Sequence, residues 1–304
     1  MSRKVSKSPI LVTGSHNSGS TWVGRMIALS PNIGYVHEPF NPNISVYRSL
    51  FDYWFTYVCD ENQSVYYKDI SDCLDFKYPF AKDIRTIRSP KDIVRIGRDY
   101  LKLKKYRLMG KQALIKDPIS IFSAGWLYNT FDMNVIVLMR HPAAFVGSLK
   151  KRNATFPFSH FLSQKFLMRD HLSQYREKIE KYTANPPDII DQGILLWNII
   201  HDVILRYRQK NSHWVYRRHE DLSKNPVDEF CKIYNILGLN YSDTVKNKIE
   251  KFSSLDQQKE GIKRDSKANI WSWKRRLTNE QINRVRRGTA KLADEIYTNE
   301  DWNL

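Results

Sequence analysis

Cysteine is scarce: three residues in 304, Cys59, Cys73 and Cys231, with no C-x-x-C pair among them. That number and spacing exclude a disulfide framework and a zinc knuckle. No apolar run is long enough to span a bilayer and mean hydropathy is −0.55, so no membrane insertion is expected. The basic opening MSRKVSKSPILVTG has an apolar stretch that stops at Val12 and meets glycine instead of a small-residue cleavage site. Secretion is therefore not expected, and a reducing, cytoplasmic location is. Acidic residues are also few, 32 against 49 Lys plus Arg, which leaves a formal net charge of +17. A charge of that size favours a polyanionic ligand or partner. Core-forming residues are plentiful, 41% hydrophobic and 13% aromatic, which excludes wholesale disorder and suffices for one large core.

Pro9 to Thr13 is a short apolar run closed by Gly14, and an apolar-periodic stretch follows from Thr21 to Leu29. That order reads as strand, loop, helix. Ala113 to Lys116 and Val135 to Met139 are apolar without polar alternation, the pattern of central parallel strands covered on both faces. Trp214 to Arg218 reads as a fourth strand. Helical periods at Ile119 to Tyr128, Pro142 to Lys151 and Ile189 to Tyr207 lie between these runs. The alternation predicts an α/β fold, a three-layer α/β/α sandwich with a central parallel sheet. No repeat or linker divides residues 1–304, so a single domain is expected. Residues 43–110, rich in Tyr, Phe and Lys, read as a helical insertion that either shapes a substrate pocket or only covers the sheet. A C-terminal helix is expected from Thr278 to Tyr297, opening on the capping pattern TNEQ.

The loop Gly14 to Thr21 reads G-S-H-N-S-G-S-T, which keeps the glycine spacing of a P-loop but has Ser20 in place of its lysine. Backbone N–H groups of such a loop and of the helix after it converge on one point, so an anion is favoured there without the lysine. The alternative is a capped tight turn with no ligand; strand, loop and helix in the right order favour the anion. A Mg-dependent phosphoryl transferase also needs a carboxylate at the end of a later strand. Val135 to Met139 instead runs into Arg140 and His141, and a helix bearing Ser148 follows. Asp117 sits between Lys116 and Pro118, where capping the next helix is the expected role, so no metal is expected.

Together these segments resemble the PAPS-dependent sulfotransferase family, PAPS being 3′-phosphoadenosine 5′-phosphosulfate. VTGSHNSGSTWVGRM is similar to the family's 5′-phosphosulfate loop, VIVLMRHPAAFVGSLKKR to its 3′-phosphate segment, and YRRHEDL to its late strand, with WSWKRRLTNEQI near the C-terminus. The resemblance implies an α/β sandwich with a P-loop-like phosphosulfate-binding loop, PAPS as donor and 3′,5′-bisphosphoadenosine (PAP) as product. It places Ser18, Gly19, Ser20 and Thr21 on the 5′-phosphosulfate, Trp22 near the adenine, and Arg140 and Ser148 on the 3′-phosphate. A guanidinium grips phosphate bidentately and an indole offers a flat apolar face; ordinary core packing is the competing reading of Trp22. Lys274 and Arg275, in the late segment Gly261 to Arg276, are implied as further nucleotide contacts.

The carbohydrate-type branch places a glutamate after the first helix, and YVHEPF puts Glu38 there. Glu38 is the expected general base for an acceptor hydroxyl and His37 the runner-up; a salt bridge fixing the loop is the alternative role for Glu38. The chain departs from the family at Asn17, where most members carry Lys or Arg. Three readings follow: Asn17 donates a neutral hydrogen bond, a nearby cation (His16, Arg25 or, first, Lys116) replaces the charge, or turnover is poor. The acceptor is expected to bear a free hydroxyl on a carbohydrate or glycolipid, with a small-molecule natural product or metabolite as alternative. Residues 43–111 and 153–182 are expected to line its pocket. A non-catalytic nucleotide- or nucleic-acid-binding protein is the rival of another class. Nucleic acid is not an expected partner: the clusters at Lys102 to Arg107, Lys150 to Arg152 and Lys274 to Arg276 lack an accompanying motif and read as solvated helix faces.

Overall fold

The computed structural model describes residues 8–43, 51–80, 87–253 and 270–303. Five parallel strands, β1 (Ile10–Gly14), β2 (Ile33–His37), β3 (Gln112–Lys116), β4 (Asn134–Met139) and β5 (Val215–Arg218), form one sheet in the order β2-β3-β1-β4-β5. Each strand alternates between two packed layers. Ile10, Val12, Leu114, Ile136 and Leu138 enter one apolar cluster, while Leu11, Ile115, Val135, Val137 and Met139 enter another on the opposite face. A sheet buried on both faces explains why its central strands β1, β3 and β4 read as apolar runs.

Helix α1 (Ser20–Ile27) covers the first face together with the later Tyr234 and Phe230, whose rings lie in the same cluster. The insertion between β2 and β3 contains α2 (Gln63–Leu74) and α3 (Pro90–Leu108). Residues 44–50 and 81–86 of the expected insertion, and 254–269 of the late segment, lie outside the described residues. The helical period after Asp117 splits into a 3₁₀ turn, Pro118–Ser123, and α4 (Ala124–Phe131). On the other face α5 (Pro142–Arg152) packs against the long α6 (Ile189–Lys210) and the C-terminal α7 (Asn279–Ala293). Thr278 and Gln281 form the expected capping box, and the helix closes at Ala293, short of Tyr297, which is buried beside the His141 ring.

The strand missing from the sequence reading is β2. Its sequence IGYVH contains glycine and is flanked by polar residues, a weak strand signature, yet it pairs in register with β3 from Ile33↔Gln112 to His37↔Lys116. The order of strands reverses at β1, which leaves the chain ends of β1, β3 and β4 facing one crevice. That is where α/β sheets bind ligands.

Candidate active site

The loop after β1 is built against β4. Gly14 has φ +132°, and a Cβ there would stand 2.1 Å from the Leu138 carbonyl oxygen, which also accepts from Ser15 N at 3.0 Å. Gly19 has φ +83°, and a Cβ would stand 2.7 Å from His219 Nδ1. Both glycines are therefore dictated by close approach and backbone sign. Between them Asn17 takes the left-handed region at φ 65°, which asparagine tolerates better than most side chains. Helix α1 then starts at Ser20 with no side-chain cap and no acidic residue in its first turn. Its leading N–H groups and positive dipole end favour an anion.

The loop contains buried donors with no hydrogen-bond partner: Ser15 Oγ, Asn17 Nδ2 and Ser18 Oγ. Each such group costs about 1–3 kcal/mol when left unsatisfied, and native structures rarely collect several in one turn without a ligand to take them. Ser20 is buried and Thr21 half-buried in the first turn of α1. These residues fit a phosphosulfate. Trp22, half-buried, makes edge-to-face contacts with Phe230 (5.1 Å) and His219 (6.3 Å).

Three guanidinium groups meet beside this loop. Arg140, at the end of β4, is almost wholly buried and donates to the Asn17 carbonyl oxygen. Trp197 Nε1 fixes it from behind by donating to the Arg140 carbonyl at 2.9 Å. Arg152, in the last turn of α5, donates to Asn17 Oδ1 and, through Nε, to the Ser148 carbonyl at 3.3 Å. Arg276 donates to Ser148 Oγ at 3.2 Å. Arg152 thus links the Asn17 loop to Ser148, where Arg276 also arrives; sequence reasoning named neither arginine as a site residue.

Two expected sources of the charge missing at Asn17 are corrected by the structure. Lys116 does not supply the charge missing at Asn17: its fully buried side chain is ion-paired with Glu38 Oε1. His16 does not supply it either, because burial and the neighbouring Arg152 charge push its pKa down to about 3, leaving a neutral ring wedged edge-on between Phe145 (4.7 Å) and Phe55 (5.7 Å). Lys274 and Arg275 are exposed on a 3₁₀ turn, Ser272–Arg275. Lys274 lies over the Trp271 and Trp273 rings. On a three-residue period Arg276 shares the face of the buried Trp273, and of these three cations it is the one hydrogen-bonded to Ser148.

Glu38 follows β2 with φ 44°, turning out of the strand. Its Oε2 accepts from Asn41 Nδ2 at 2.8 Å, and its backbone N donates to the Lys116 carbonyl at 2.8 Å. Burial alone would raise its pKa; the Lys116 charge and hydrogen bond outweigh that and hold the carboxyl below its usual range. Burial in turn draws Lys116 below the usual lysine value. His37, one residue earlier, lies at the surface with Nδ1 3.1 Å from the Tyr35 hydroxyl. Desolvation and Lys116 push it down to about 4. Asp117 is buried, and its Oδ2 accepts from Phe40 N at 2.6 Å and Oδ1 from Ile119 N at 3.1 Å, as a helix cap. Burial and the Glu38 charge raise it to about 8. No cluster of metal-ligating side chains occurs among the described residues.

A segment of the insertion and the stretch after α5 meet next to the loop. Tyr57 N donates to Gln164 Oε1 at 2.8 Å and Trp54 N to His160 Nδ1 at 3.0 Å. Phe55, packed on His16, also contacts Phe122, Phe156 and Phe161. The result is an aromatic wall joining residues 51–58 to 156–164.

An uncapped helix N-terminus behind a glycine loop thus stands beside Arg140, at the end of the adjacent parallel strand, and Arg152, at the end of α5, a setting in an α/β protein that favours anionic groups. The sulfotransferase family profile matches residues 9–243, and the chain belongs to that family. No curated protein matches the sequence. Among solved structures, the sulfotransferase domain from the Synechococcus PCC 7002 olefin synthase has a TM-score of 0.51 at 16% identity, covering 98% of this chain and 98% of that one. The sulfotransferase domain from the curacin biosynthetic pathway has a TM-score of 0.50 at 12% identity, covering 93% and 97%. At such identities the likeness speaks for the three-layer fold. No helix among the described residues is long and apolar enough to cross a membrane.

Proposed function

We propose that this chain transfers a sulfuryl group from PAPS to a hydroxyl of a carbohydrate or glycolipid acceptor, releasing PAP. The observation that carries the reading is the set of buried, partnerless donors Ser15 Oγ, Asn17 Nδ2 and Ser18 Oγ at the uncapped start of α1. Gly19, Ser20 and Thr21 complete that cradle through backbone and hydroxyl donors. Arg140, Ser148 and Arg276 take the 3′-phosphate, and Trp22 borders the adenine. Bound PAPS supplies the activated sulfuryl group and a bisphosphate leaving group.

Asn17 in this scheme is a relay. Its amide oxygen holds Arg152 and its carbonyl holds Arg140, so cationic charge reaches the loop from α5 and β4 instead of from the loop's own side chain. Preorganised charge, placed where negative charge develops, is one of the strongest contributions to group-transfer catalysis. Glu38 accepts the acceptor proton. Lys116 keeps it ionised and fixes its orientation, so it is a weaker base than a free carboxylate but is in the accepting form at neutral pH.

A second acceptor reading rests on the aromatic wall of Phe55, Phe156 and Phe161 beside His16, which suits a flat apolar natural product; the two fold neighbours come from an olefin synthase and a curacin pathway. Incubation with PAPS and two acceptor sets, oligosaccharides with glycolipids and small hydroxylated natural products, separates these readings by mass spectrometry of the products. Sulfated glycan with stoichiometric PAP is the expected result. Sulfation confined to the small-molecule set moves the acceptor class, and PAPS left intact with both sets contradicts the proposal.

A further inference from the structure

Large apolar side chains exposed to solvent are concentrated in one region: nine of the ten among the described residues fall between 65 and 109. Scattered singles need no explanation, whereas a grouped set marks an interaction surface. Within that region α3 carries an ordered stripe. Val94, Leu101 and Leu108 are 72%, 63% and 79% exposed and follow one another at seven residues, two turns apart, so they lie nearly in line along the helix. Met109, just past the helix, continues the stripe. The opposite face holds the buried Ile96 and Leu103 and attaches the helix to the protein. One helix is thus apolar on two faces, and only one of them is used by the core.

The surroundings of the stripe are cationic. Seven Lys or Arg stand against two Asp on α3, and Lys91, Arg98, Lys104 and Lys105 are exposed. Asp92 is spent on the N-terminal capping box and Asp99 lies 3.2 Å from Arg98. Arg98 and Lys105 follow Val94 and Leu101 by four residues, on the same side of the helix.

We propose that α3 docks the protein on an anionic lipid surface, the apolar stripe entering the headgroup boundary and the flanking cations meeting the lipid charges. A self-associating helical seam needs apolar residues at alternating spacings of three and four. Here the intervening positions are Arg98 and Lys105, which would confront their own copies. A nucleic acid backbone is gripped by cations and has no use for a line of exposed Val and Leu. An anionic bilayer satisfies both features together, and the inference is independent of the reaction proposed above.

The test is co-sedimentation of the full chain with phosphatidylcholine vesicles, with and without phosphatidylserine, across a salt series. The expected result is binding that requires phosphatidylserine and weakens with salt. It should fall about tenfold or more in the variant V94E/L101E/L108E and also in R98E/K105E, with melting temperatures near that of the parent chain showing that both variants fold. Absence of binding to phosphatidylserine vesicles, or equal binding by both variants, overturns the proposal. A dimer in light scattering that the triple glutamate variant converts to monomer, without vesicle binding by either, also overturns it and assigns the stripe to a second copy.

Discussion

Replacing Arg152 with alanine is expected to lower turnover about 10²-fold while PAP affinity stays within a few-fold of the parent enzyme. The separation follows from where the charge acts. In the proposed scheme PAP carries the phosphates that Arg140, Ser148 and Arg276 hold, whereas the guanidinium of Arg152, held on Asn17 Oδ1, serves charge that develops only during transfer. Asn17→Lys introduced into the Arg152→Ala background should restore much of the rate, since it returns a cation to the loop itself. Restoration should be incomplete, because position 17 has φ 65° and lysine in the left-handed region costs roughly 1–2 kcal/mol. An independent sign of the same charge is available at His16, whose low pKa owes part of its depression to Arg152. Removing Arg152 removes a repulsion of the imidazolium, so the His16 pKa should rise in an NMR titration. Unchanged turnover in Arg152→Ala would show that the loop draws its charge from elsewhere.

Glu38→Gln is expected to abolish most activity, by about 10²- to 10⁴-fold as befits loss of a general base, and to lower stability as well. The second effect comes from Lys116, whose fully buried ammonium would lose its counter-charge. Removing one partner of a buried pair costs about 3–5 kcal/mol. The double variant Glu38→Gln with Lys116→Met leaves no stranded charge, so it should melt near the parent temperature and remain inactive. Recovery of activity along with stability would make Glu38 a structural anchor and leave His37 as the base. The pH profile carries a matching sign. Because Lys116 holds the Glu38 carboxyl below 4.5, the accepting form persists as pH falls to that value, and the acid limb of the rate profile should lie below it.

The parts of the fold written locally were legible. The apolar runs of β1, β3 and β4, and the glycines of the loop, carry their own signal, because a strand buried on both faces is mostly apolar and a loop held against Leu138 and His219 must be glycine at Gly14 and Gly19. What was hidden depends on distant partners. β2 at the sheet edge is short, contains Gly34 and ends on a histidine, so its strand character comes from pairing with β3. Arg152 appears in sequence as one of three cations in KKR. Only the length of α5 and its stop at Asn153 decide which of them turns back to a loop 135 residues earlier. The same holds for WSWKRR, where the buried Trp273 sets the phase of the turn and selects Arg276 over Lys274 and Arg275. The nearest signal in the sequence is the position of each arginine three residues after a helix-packing or aromatic anchor, Leu149 and Trp273. Lys116 shows the opposite case: the sequence marks it as a cation at the end of β3, but its partner is set by the turn at Glu38, a φ no sequence pattern announces.

The loop and the arginine cluster are proposed to form together a site for an adenosine bisphosphate. Calorimetric titration of the full chain with PAP, set against ATP with Mg, tests it most directly. Saturable binding of PAP, preferred over ATP with Mg, is expected, with a marked loss of PAP affinity in Arg140→Ala, since that guanidinium is the most deeply buried of the three. Preference for ATP with Mg, or PAP affinity unaffected by Arg140→Ala, would contradict it.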